Sequence, residues 1–284
     1  MDAELSSIKT VLLPSGERVP QLGQGTWQMA ESDARRADEI AALQAGFDLG
    51  LTLIDTAEMY GEGRAEELVA EALGSRREKA YIVSKVYPHN ASRTGVVAAC
   101  ERSLKRLRTD RIDLYLLHWM GRHPLEDTVA GFEALKAAGK IRAWGVSNLD
   151  TDDMNELWDV GGGQNVVTNQ VLYNLTRRAP EGSLVPWMRE RQIPLMAYSP
   201  VEQARLLADA RLVTFARERD ATPAQIALAW LLRHDDVIVI PKASSVAHVA
   251  DNARAREIVL TGADIAHLER LFPAPRGVAP LEVL

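Results

Sequence analysis

Short apolar runs alternate along the chain with longer stretches in which apolar residues recur at helical spacing. The run Ile112-Asp-Leu-Tyr-Leu-Leu117 is almost continuously apolar, which is typical of a strand buried on both faces. Runs of this kind predict eight strands, at residues 23–27, 53–57, 80–86, 112–119, 141–148, 166–173, 193–199 and 237–241.

The stretches between these strands predict helices that pack against them. Val96, Cys100 and Leu107 share one face at helical spacing, and arginine and lysine residues occupy the opposite face. The segment Thr222-Pro-Ala-Gln225 has the pattern of a capping box with proline at the first helical position, which marks the start of a helix. Strands and helices therefore alternate along the chain without a low-complexity segment or a long linker.

This alternation predicts an α/β protein, a (β/α)₈ barrel that forms a single domain over residues 1–284. Residues 11–14 and 18–20 flank Ser15-Gly16-Glu17 and predict a short β-hairpin before the barrel. A doubly wound open sheet is the alternative. Its glycine-rich turn normally has a third glycine, which the segment Gly23-Gln-Gly-Thr-Trp27 lacks.

Composition and charge narrow the class of protein. The 284 residues are 46% hydrophobic and 25% charged, as in ordinary globular proteins, and the net charge of −6 disfavours nucleic acid or an anionic membrane as a partner. The single cysteine, Cys100, excludes an internal disulfide and a cysteine-rich zinc site. The opening segment MDAELSSIKT lacks the apolar stretch of a signal peptide. We therefore expect a soluble, cytoplasmic protein that acts as a monomer.

Polar residues with complementary chemistry fall at the carboxyl ends of neighbouring strands, where barrel enzymes place their active sites. Asp55 lies at the end of the second strand and Tyr60 follows it, whereas Lys85 ends the third strand and His118 ends the fourth. An ammonium group beside a tyrosine lowers the pKa of the phenol, and Asp55 can pair with that ammonium. His118 can orient a substrate oxygen. The set holds a general acid but no activated nucleophile, so it predicts protonation of a carbonyl oxygen while a cofactor delivers hydride.

Each of these residues also has a structural explanation. A lone aspartate at a strand end most often caps a helix or stabilises a loop, and a lone histidine or tyrosine most often packs inside the protein. A buried lysine is less common, because its charge needs a partner. The functional interpretation therefore depends on the joint occurrence of the four residues at one rim.

The same residues lie in motifs that resemble those of the aldo-keto reductase family. The motifs cover nearly the whole chain in the order of that family: GQGTW at 23–27, LIDTA at 53–57, SK at 84–85, LYLLH at 114–118, WGVSN at 144–148, NQ at 169–170, AYSP at 197–200 and IPK at 240–242. The resemblance implies a (β/α)₈ barrel that reduces aldehydes and ketones with NADPH, with NADH as a weaker alternative, and without a metal. It implies that Tyr60 donates the proton, that Asp55 and Lys85 tune it, and that His118 orients the carbonyl.

The resemblance also implies a cofactor site. Ser147, Asn148 and Gln170 are similar to the residues that hold the nicotinamide carboxamide. Tyr198 is similar to the ring that stacks on the nicotinamide, Lys242 to the residue that binds the 2′-phosphate, and Asn252 to an adenine contact. The complete candidate set is Gly25, Thr26, Trp27, Asp55, Ser147, Asn148, Gln170, Tyr198, Ser199, Pro200, Lys242, Ser244, Ser245, His248 and Asn252.

The sequence departs from the family pattern after Lys242. Many members carry a serine directly after this lysine and an arginine six residues after it, where this chain has Ala243 and His248. Histidine does not replace arginine in kind, because it lacks the guanidinium fork and the permanent charge. Ser244 and Ser245 precede an expected helix, where they can cap it and where its N–H groups can bind a phosphate.

Three further stretches resemble a bacterial branch of methylglyoxal or broad-specificity aldehyde reductases. They are Asp55-Thr-Ala-Glu-Met-Tyr60, Ser84-Lys-Val-Tyr-Pro88 and Phe272-Pro-Ala-Pro-Arg276. This similarity favours small carbonyl substrates such as 2-oxoaldehydes.

The expected substrate pocket is small and open. Trp27, Tyr87 and Trp119 follow strand ends, so they either line the pocket together with Tyr60 and His118 or belong to the core. The rim loops are short, and eight residues follow Arg276. Short loops predict few specificity contacts, which favours small or varied carbonyl substrates.

Two other classes of function are open alternatives. A non-catalytic regulatory subunit that binds a cofactor and senses redox state can share this fold, but it typically carries an extra partner-binding segment, which the sequence does not show. A metal-dependent barrel hydrolase needs clustered histidines or carboxylates at the strand ends, whereas the six histidines are scattered.

Overall fold

The computed structural model describes residues 8–284. Residues 1–7 lie outside this part, and with them most of the opening segment from which the absence of a signal peptide is predicted. Within residues 8–284, none of the helices is long and apolar enough to span a bilayer.

A short antiparallel hairpin precedes the barrel, as predicted. Its strands, Thr10–Leu12 (β1) and Arg18–Pro20 (β2), pair in a register that places Val11 opposite Val19. Gly16 lies in the turn with a φ of 86°, a left-handed conformation that glycine adopts without strain. The buried valines pack against apolar side chains inside the barrel, so the hairpin closes the amino-terminal end of the barrel.

Eight parallel strands form one sheet whose order follows the sequence. Backbone hydrogen bonds of 2.9 Å run from Gly23 to Val239 and from Gly25 to Pro241, so they join the first strand to the last and close the barrel. The predicted (β/α)₈ fold is therefore confirmed. The strands are Gln24–Gly25 (β3), Leu53–Asp55 (β4), Tyr81–Val86 (β5), Ile112–Leu117 (β6), Ile141–Ser147 (β7), Asn169–Leu172 (β8), Leu195–Tyr198 (β9) and Val237–Val239 (β10).

Several strands are shorter than the apolar runs predict. The predicted strand at 112–119 ends at Leu117, and the predicted strand at 166–173 begins only at Asn169. At the carboxyl ends the chain leaves the sheet where polar residues such as His118 begin. These residues consequently extend above the barrel core, where their side chains can meet.

Helices surround the barrel and bury the faces that the apolar spacing predicts. Val96, Cys100 and Leu107 are buried on the helix Arg93–Leu107 (α3), and Thr222 and Gln225 form the predicted capping box at the start of the helix Pro223–Leu232 (α8). The helices are Arg36–Asp48 (α1), Arg64–Leu73 (α2), Arg93–Leu107 (α3), Leu125–Ala137 (α4), Thr151–Asp159 (α5), Leu184–Glu190 (α6), Ala210–Arg217 (α7), Pro223–Leu232 (α8), Val246–Arg254 (α9) and Gly262–Leu271 (α10).

Candidate active site

A cavity of about 1070 Å³ opens at the carboxyl ends of the barrel strands. This volume lies near the upper end of the range for small-molecule and cofactor sites. Asp55, Tyr60 and His118 line it at one end, and Lys242 and Asn252 line it as well. One continuous cavity is thus lined by three of the four predicted catalytic residues and by most of the predicted cofactor residues.

Lys85 lies directly behind the cavity and joins the catalytic residues. Its Nζ donates hydrogen bonds to Asp55 Oδ2 at 2.8 Å, to the Thr56 carbonyl oxygen at 2.9 Å and to Tyr60 Oη at 3.1 Å. The lysine side chain is 0% exposed. Three acceptors match the three donors of an ammonium group, which compensates for the loss of water.

The backbone after β4 places Tyr60 next to Lys85. Tyr60 begins a short 3₁₀ turn, Tyr60–Gly63, in which Gly61 and Glu62 have φ values of 55° and 57°. These left-handed residues turn the chain back over the strand end, and Tyr60 is buried with Ala57 and Ala65. The five-residue spacing from Asp55 therefore brings both side chains to the same lysine.

Burial controls the protonation of this cluster. It raises the pKa of Tyr60 well above its ordinary value, and the nearby charge of Asp55 raises it further. Burial lowers the pKa of Lys85, and the negative charge of Asp55 opposes this lowering. Burial and the charge of Asp55 thus set the direction of the Tyr60 pKa, and the lowering of that pKa by Lys85 stays a prediction. Tyr60 is consequently a neutral phenol that holds a proton.

His118 faces the cavity as a neutral imidazole. Burial, assisted by the positive charge of Lys85, lowers the pKa of His118 to about 2. Its ring meets the Tyr60 ring edge to face, with centroids 5.6 Å apart. Its Nδ1 is buried and has no hydrogen-bond partner within residues 8–284. A neutral imidazole can still donate one hydrogen bond, so His118 can orient an oxygen without protonating it.

Aromatic and methionine side chains surround the catalytic end. Of the two alternatives for Trp27 and Trp119, the structure places both at the cavity wall, and the Trp119 ring centroid lies 4.8 Å from that of His118. Tyr87 does not line it but packs against Trp119, with ring centroids 5.0 Å apart. Met59 and Met120 also line the cavity and were not predicted, since nothing in the sequence distinguishes them from core methionines.

The residues predicted to hold the nicotinamide lie beside the catalytic cluster. Gln170 Nε2 donates to Asp55 Oδ1 at 2.7 Å. The Asn148 side chain donates to the His118 carbonyl oxygen at 3.1 Å and accepts from the Tyr198 hydroxyl at 2.9 Å. Burial raises the pKa of Tyr198 to about 12. Hydrogen bonds thus fix the carboxamide candidates and the stacking candidate relative to the catalytic residues.

The structure places the remaining cofactor candidates in two groups. Thr26 and Ser245 do not line the cavity. Thr26 is fully buried and its hydroxyl donates to the Asp55 carbonyl oxygen at 3.0 Å, whereas Ser245 caps α9 by accepting from the His248 N–H at 3.3 Å. The candidates that do line the cavity, besides those already described, are Gly25, Ser147, Ser199, Pro200, Ser244 and His248.

Two segments that lie largely outside the motifs also line the cavity. We call residues 199–208, which follow β9, the strap, and residues 277–284 the tail. The strap contributes Gln203, Ala204 and Leu207, and the tail contributes Val283 and Leu284. The pocket is therefore less open than the short loops predict. No sequence signal placed the tail, because its position depends on contacts with distant loops.

The described part of the chain offers no metal centre. Within residues 8–284, no three histidine, cysteine or carboxylate side chains come together in a way that could hold a metal ion.

A barrel whose rim connects a buried tyrosine–lysine pair to one long cavity is suited to an oxidoreductase that uses a separate cofactor. Residues 21–272 match the model of the Aldo/keto reductase family, and the chain belongs to this family. The family and the oxidoreductase class predicted from the motifs are therefore confirmed.

Known proteins are similar to this chain over almost their full length. Methylglyoxal reductase YeaE of Escherichia coli K12 is 51% identical over 271 residues, which cover 94% of this chain and 95% of that protein. Glyoxal reductase of Bacillus subtilis is 32% identical and covers 97% of both chains. A crystal structure of an aldo/keto reductase from Klebsiella pneumoniae in complex with NADP and acetate has a TM-score of 0.95 and 49% identity, covering 97% of this chain and 99% of that one. The bacterial branch predicted from the sequence is thereby confirmed.

Proposed function

We propose that this protein reduces small aldehydes and ketones, such as 2-oxoaldehydes, to alcohols with NADPH. The observation that carries the proposal is the contact of 3.1 Å between Lys85 Nζ and Tyr60 Oη at the wall of the cavity. This contact holds the protonated Tyr60 phenol in a fixed position beside the neutral His118. The relatives named methylglyoxal and glyoxal reductase support the same substrate class.

The residues at the α9 side of the cavity fit NADPH. Ser244 Oγ is buried there and lacks a hydrogen-bond partner within residues 8–284, so it can donate to a phosphate oxygen. Lys242 lines the same region and supplies a positive charge, and the start of α9 supplies backbone N–H groups. These groups suit a 2′-phosphate, which NADH lacks, so NADH is the weaker alternative.

The cluster divides the chemistry of the reaction among its residues. When bound, the reduced nicotinamide supplies the hydride. His118 donates a hydrogen bond that holds the carbonyl oxygen near Tyr60 Oη. Tyr60 gives its proton to that oxygen as negative charge develops on it, because an alkoxide is more basic than a phenolate. Lys85 then stabilises the phenolate through its contact with Tyr60 Oη.

We further propose that the protein works in the cytoplasm as a monomer, without nucleic acid or membrane partners, and that residues 1–284 form one domain. The net charge of −6 supports the proposal on partners. A regulatory subunit is not favoured, because binding a cofactor alone does not require a proton-donating Tyr60 held by Lys85 and Asp55.

Replacement of Tyr60 tests the catalytic assignment. Tyr60→Phe should lower kcat for methylglyoxal reduction by about 10²- to 10⁴-fold, the range for a lost general acid. NADPH affinity, measured by quenching of tryptophan fluorescence, should stay within about twofold of wild type because the phenol does not hold the cofactor. Tyr115→Phe is the matched control, since it removes another buried hydroxyl that does not line the cavity.

Two results would contradict this assignment. Substantial methylglyoxal reduction by Tyr60→Phe would exclude Tyr60 as the proton donor. A wild-type protein that binds NADPH but reduces no aldehyde or ketone in a broad panel would instead favour a regulatory subunit.

A further inference from the structure

We infer that Arg177 is a positioning residue that couples the strap to the tail, so that cofactor retention and carbonyl selectivity depend on one side chain. The inference rests on the proposed function. It assigns to Arg177, which lies outside the cavity in the loop after β8, a role that none of the motifs indicates.

The strap has a conformation that its surroundings must maintain. Ser199, Glu202, Gln203 and Ala204 have φ values of 48°, 53°, 51° and 69°. Left-handed conformations are unfavourable for residues other than glycine and persist only when neighbouring groups enforce them. Because Gln203 and Ala204 line the cavity, the contacts that hold these φ values also shape the cofactor wall.

Glu202 is the point at which the strap is held. Its side chain is only 7% exposed, and it accepts hydrogen bonds from Asn174 Nδ2 at 2.9 Å and from Arg177 Nη2 at 2.8 Å. Burial alone would raise the pKa of Glu202, but hydrogen bonds from Arg177 and Asn174 outweigh burial and hold the pKa below its ordinary value. Asn174 also donates to the Ser199 carbonyl oxygen at 2.9 Å, at the start of the strap.

The tail packs on the segment after β8 that also contains Arg177. It passes over Gly182 so closely that a Cβ there would lie 2.7 Å from the Gly277 carbonyl oxygen. Leu281 packs against the core, and the next residue, Glu282, accepts a hydrogen bond of 2.5 Å from Arg177 Nη1. Val283 and Leu284 then reach the cavity.

One guanidinium therefore serves two carboxylates from distant parts of the chain. Arg177 directs Nε and Nη2 to Glu202 at 3.0 and 2.8 Å, and Nη1 to Glu282. The planar fork of arginine can bind both at once, whereas a lysine ammonium on a flexible stem cannot reproduce that geometry. A shift of the strap alters the position of the arginine, and the arginine alters the position of the tail.

Glu282→Gln provides the sharpest test because it changes the tail and leaves the strap residues intact. Glu282 is 42% exposed, so the variant should fold. It should raise KM for methylglyoxal and for the bulkier phenylglyoxal with kcat unchanged, and it should weaken NADPH binding by about twofold to fivefold, as expected for a partly exposed ion pair. Arg177→Gln should raise both the carbonyl KM and the dissociation constant for NADPH by a larger factor, about tenfold.

Arg205→Gln is the matched control. Arg205 also pairs with Glu202, at 2.8 Å, but its side chain is 58% exposed and it has no contact with the tail among the ion pairs of residues 8–284. The KM for methylglyoxal and the dissociation constant for NADPH should both stay within about twofold of wild type. Arg177→Lys, which keeps the charge but loses the fork, should resemble Arg177→Gln more than wild type.

Several results would overturn the coupling. One is an unchanged NADPH affinity in Glu282→Gln, with or without a change in the carbonyl KM. Another is a loss in Arg205→Gln as large as that in Arg177→Gln, which would show a general effect of charge. A wild type that neither binds NADPH nor reduces aldehydes would instead refute the proposed function, so the two failures are distinguishable.

Discussion

Lys85 shows how much one side chain contributes at the scale of single residues. It is fully buried, and its three contacts hold the carboxylate, a backbone carbonyl and the phenol in fixed positions. Removing an ion-pair partner from such a place leaves an uncompensated buried charge, which is strongly unfavourable. The lysine thus holds the acid in place in addition to any effect on its pKa.

The protonation states at this scale predict the pH dependence of the reaction. His118, with its pKa lowered to about 2, stays neutral from pH 6 to pH 9, and Tyr60, with its pKa raised well above the ordinary value, stays protonated. With saturating NADPH, kcat/KM for methylglyoxal should therefore be flat over this range. Alcohol oxidation, which needs the phenolate, should instead become faster as pH rises.

Steady-state rates in buffers of constant ionic strength would check this prediction. A reduction profile that falls with an inflection near pH 6.5 would mean that His118 titrates during turnover. A fall between pH 7 and pH 9 would mean that Lys85 lowers the Tyr60 pKa after all.

At the scale of elements, the strand ends supply the catalytic side chains and the start of α9 supplies groups for the cofactor. The chain leaves β4, β5 and β6 close to Asp55, Lys85 and His118, so adjacent strands deliver adjacent side chains. Helix α9 begins at Val246, where Ser245 caps it. Its first turn presents N–H groups and the exposed, cavity-lining His248 to the expected phosphate.

The first turn of α9 predicts how strongly the protein prefers NADPH over NADH. His248 lines the cavity there, and it lacks the guanidinium fork and permanent charge of the arginine common in the family. His248→Arg should therefore raise the ratio of kcat/KM with NADPH to that with NADH, and Lys242→Ala should abolish the preference.

The alternative is that His248 is simply a solvated residue of the helix. An unchanged ratio of kcat/KM with NADPH to that with NADH in His248→Ala would support that alternative. Lys242, Ser244 and the start of α9 would then form the whole phosphate site.

At the scale of the whole molecule, closure of the barrel determines whether the cavity exists. The first strand meets the last where Gly25 lies beside Ile240, and a Cβ on Gly25 would lie 2.9 Å from the Ile240 carbonyl oxygen. A backbone oxygen in a closed barrel cannot move without breaking the adjoining hydrogen bonds. The absence of a side chain at Gly25 is therefore part of the closure.

Gly25→Ala should destabilise the protein by about 1–3 kcal/mol, as for other cases of overpacking, because the methyl group separates β3 from β10. Gly262→Ala is the control, since a Cβ there meets nothing within 4 Å, and its effect should be within about 0.5 kcal/mol. Urea unfolding followed by tryptophan fluorescence measures both. Equal free energies of unfolding for the two variants would show that the junction has room for a methyl group.

The sequence by itself determined the repeating units and the residues at their ends. Alternating apolar runs predict eight strands because burial of both faces is a local property of each run. Motif spacing then places Asp55, Tyr60, Lys85 and His118 at one rim, where they do meet. Helix starts at Thr222 and Ser245 were equally predictable, since capping involves residues only three apart.

Only the tertiary structure decided which groups meet across loops and how burial changes their chemistry. Periodicity could not show that Glu282 reaches Arg177, 105 residues away. It could not show that Tyr87 packs behind Trp119, or that burial raises the pKa of Tyr60 when a neighbouring ammonium should lower it. These outcomes depend on the summed desolvation and packing of the closed barrel, which no local segment of the sequence contains.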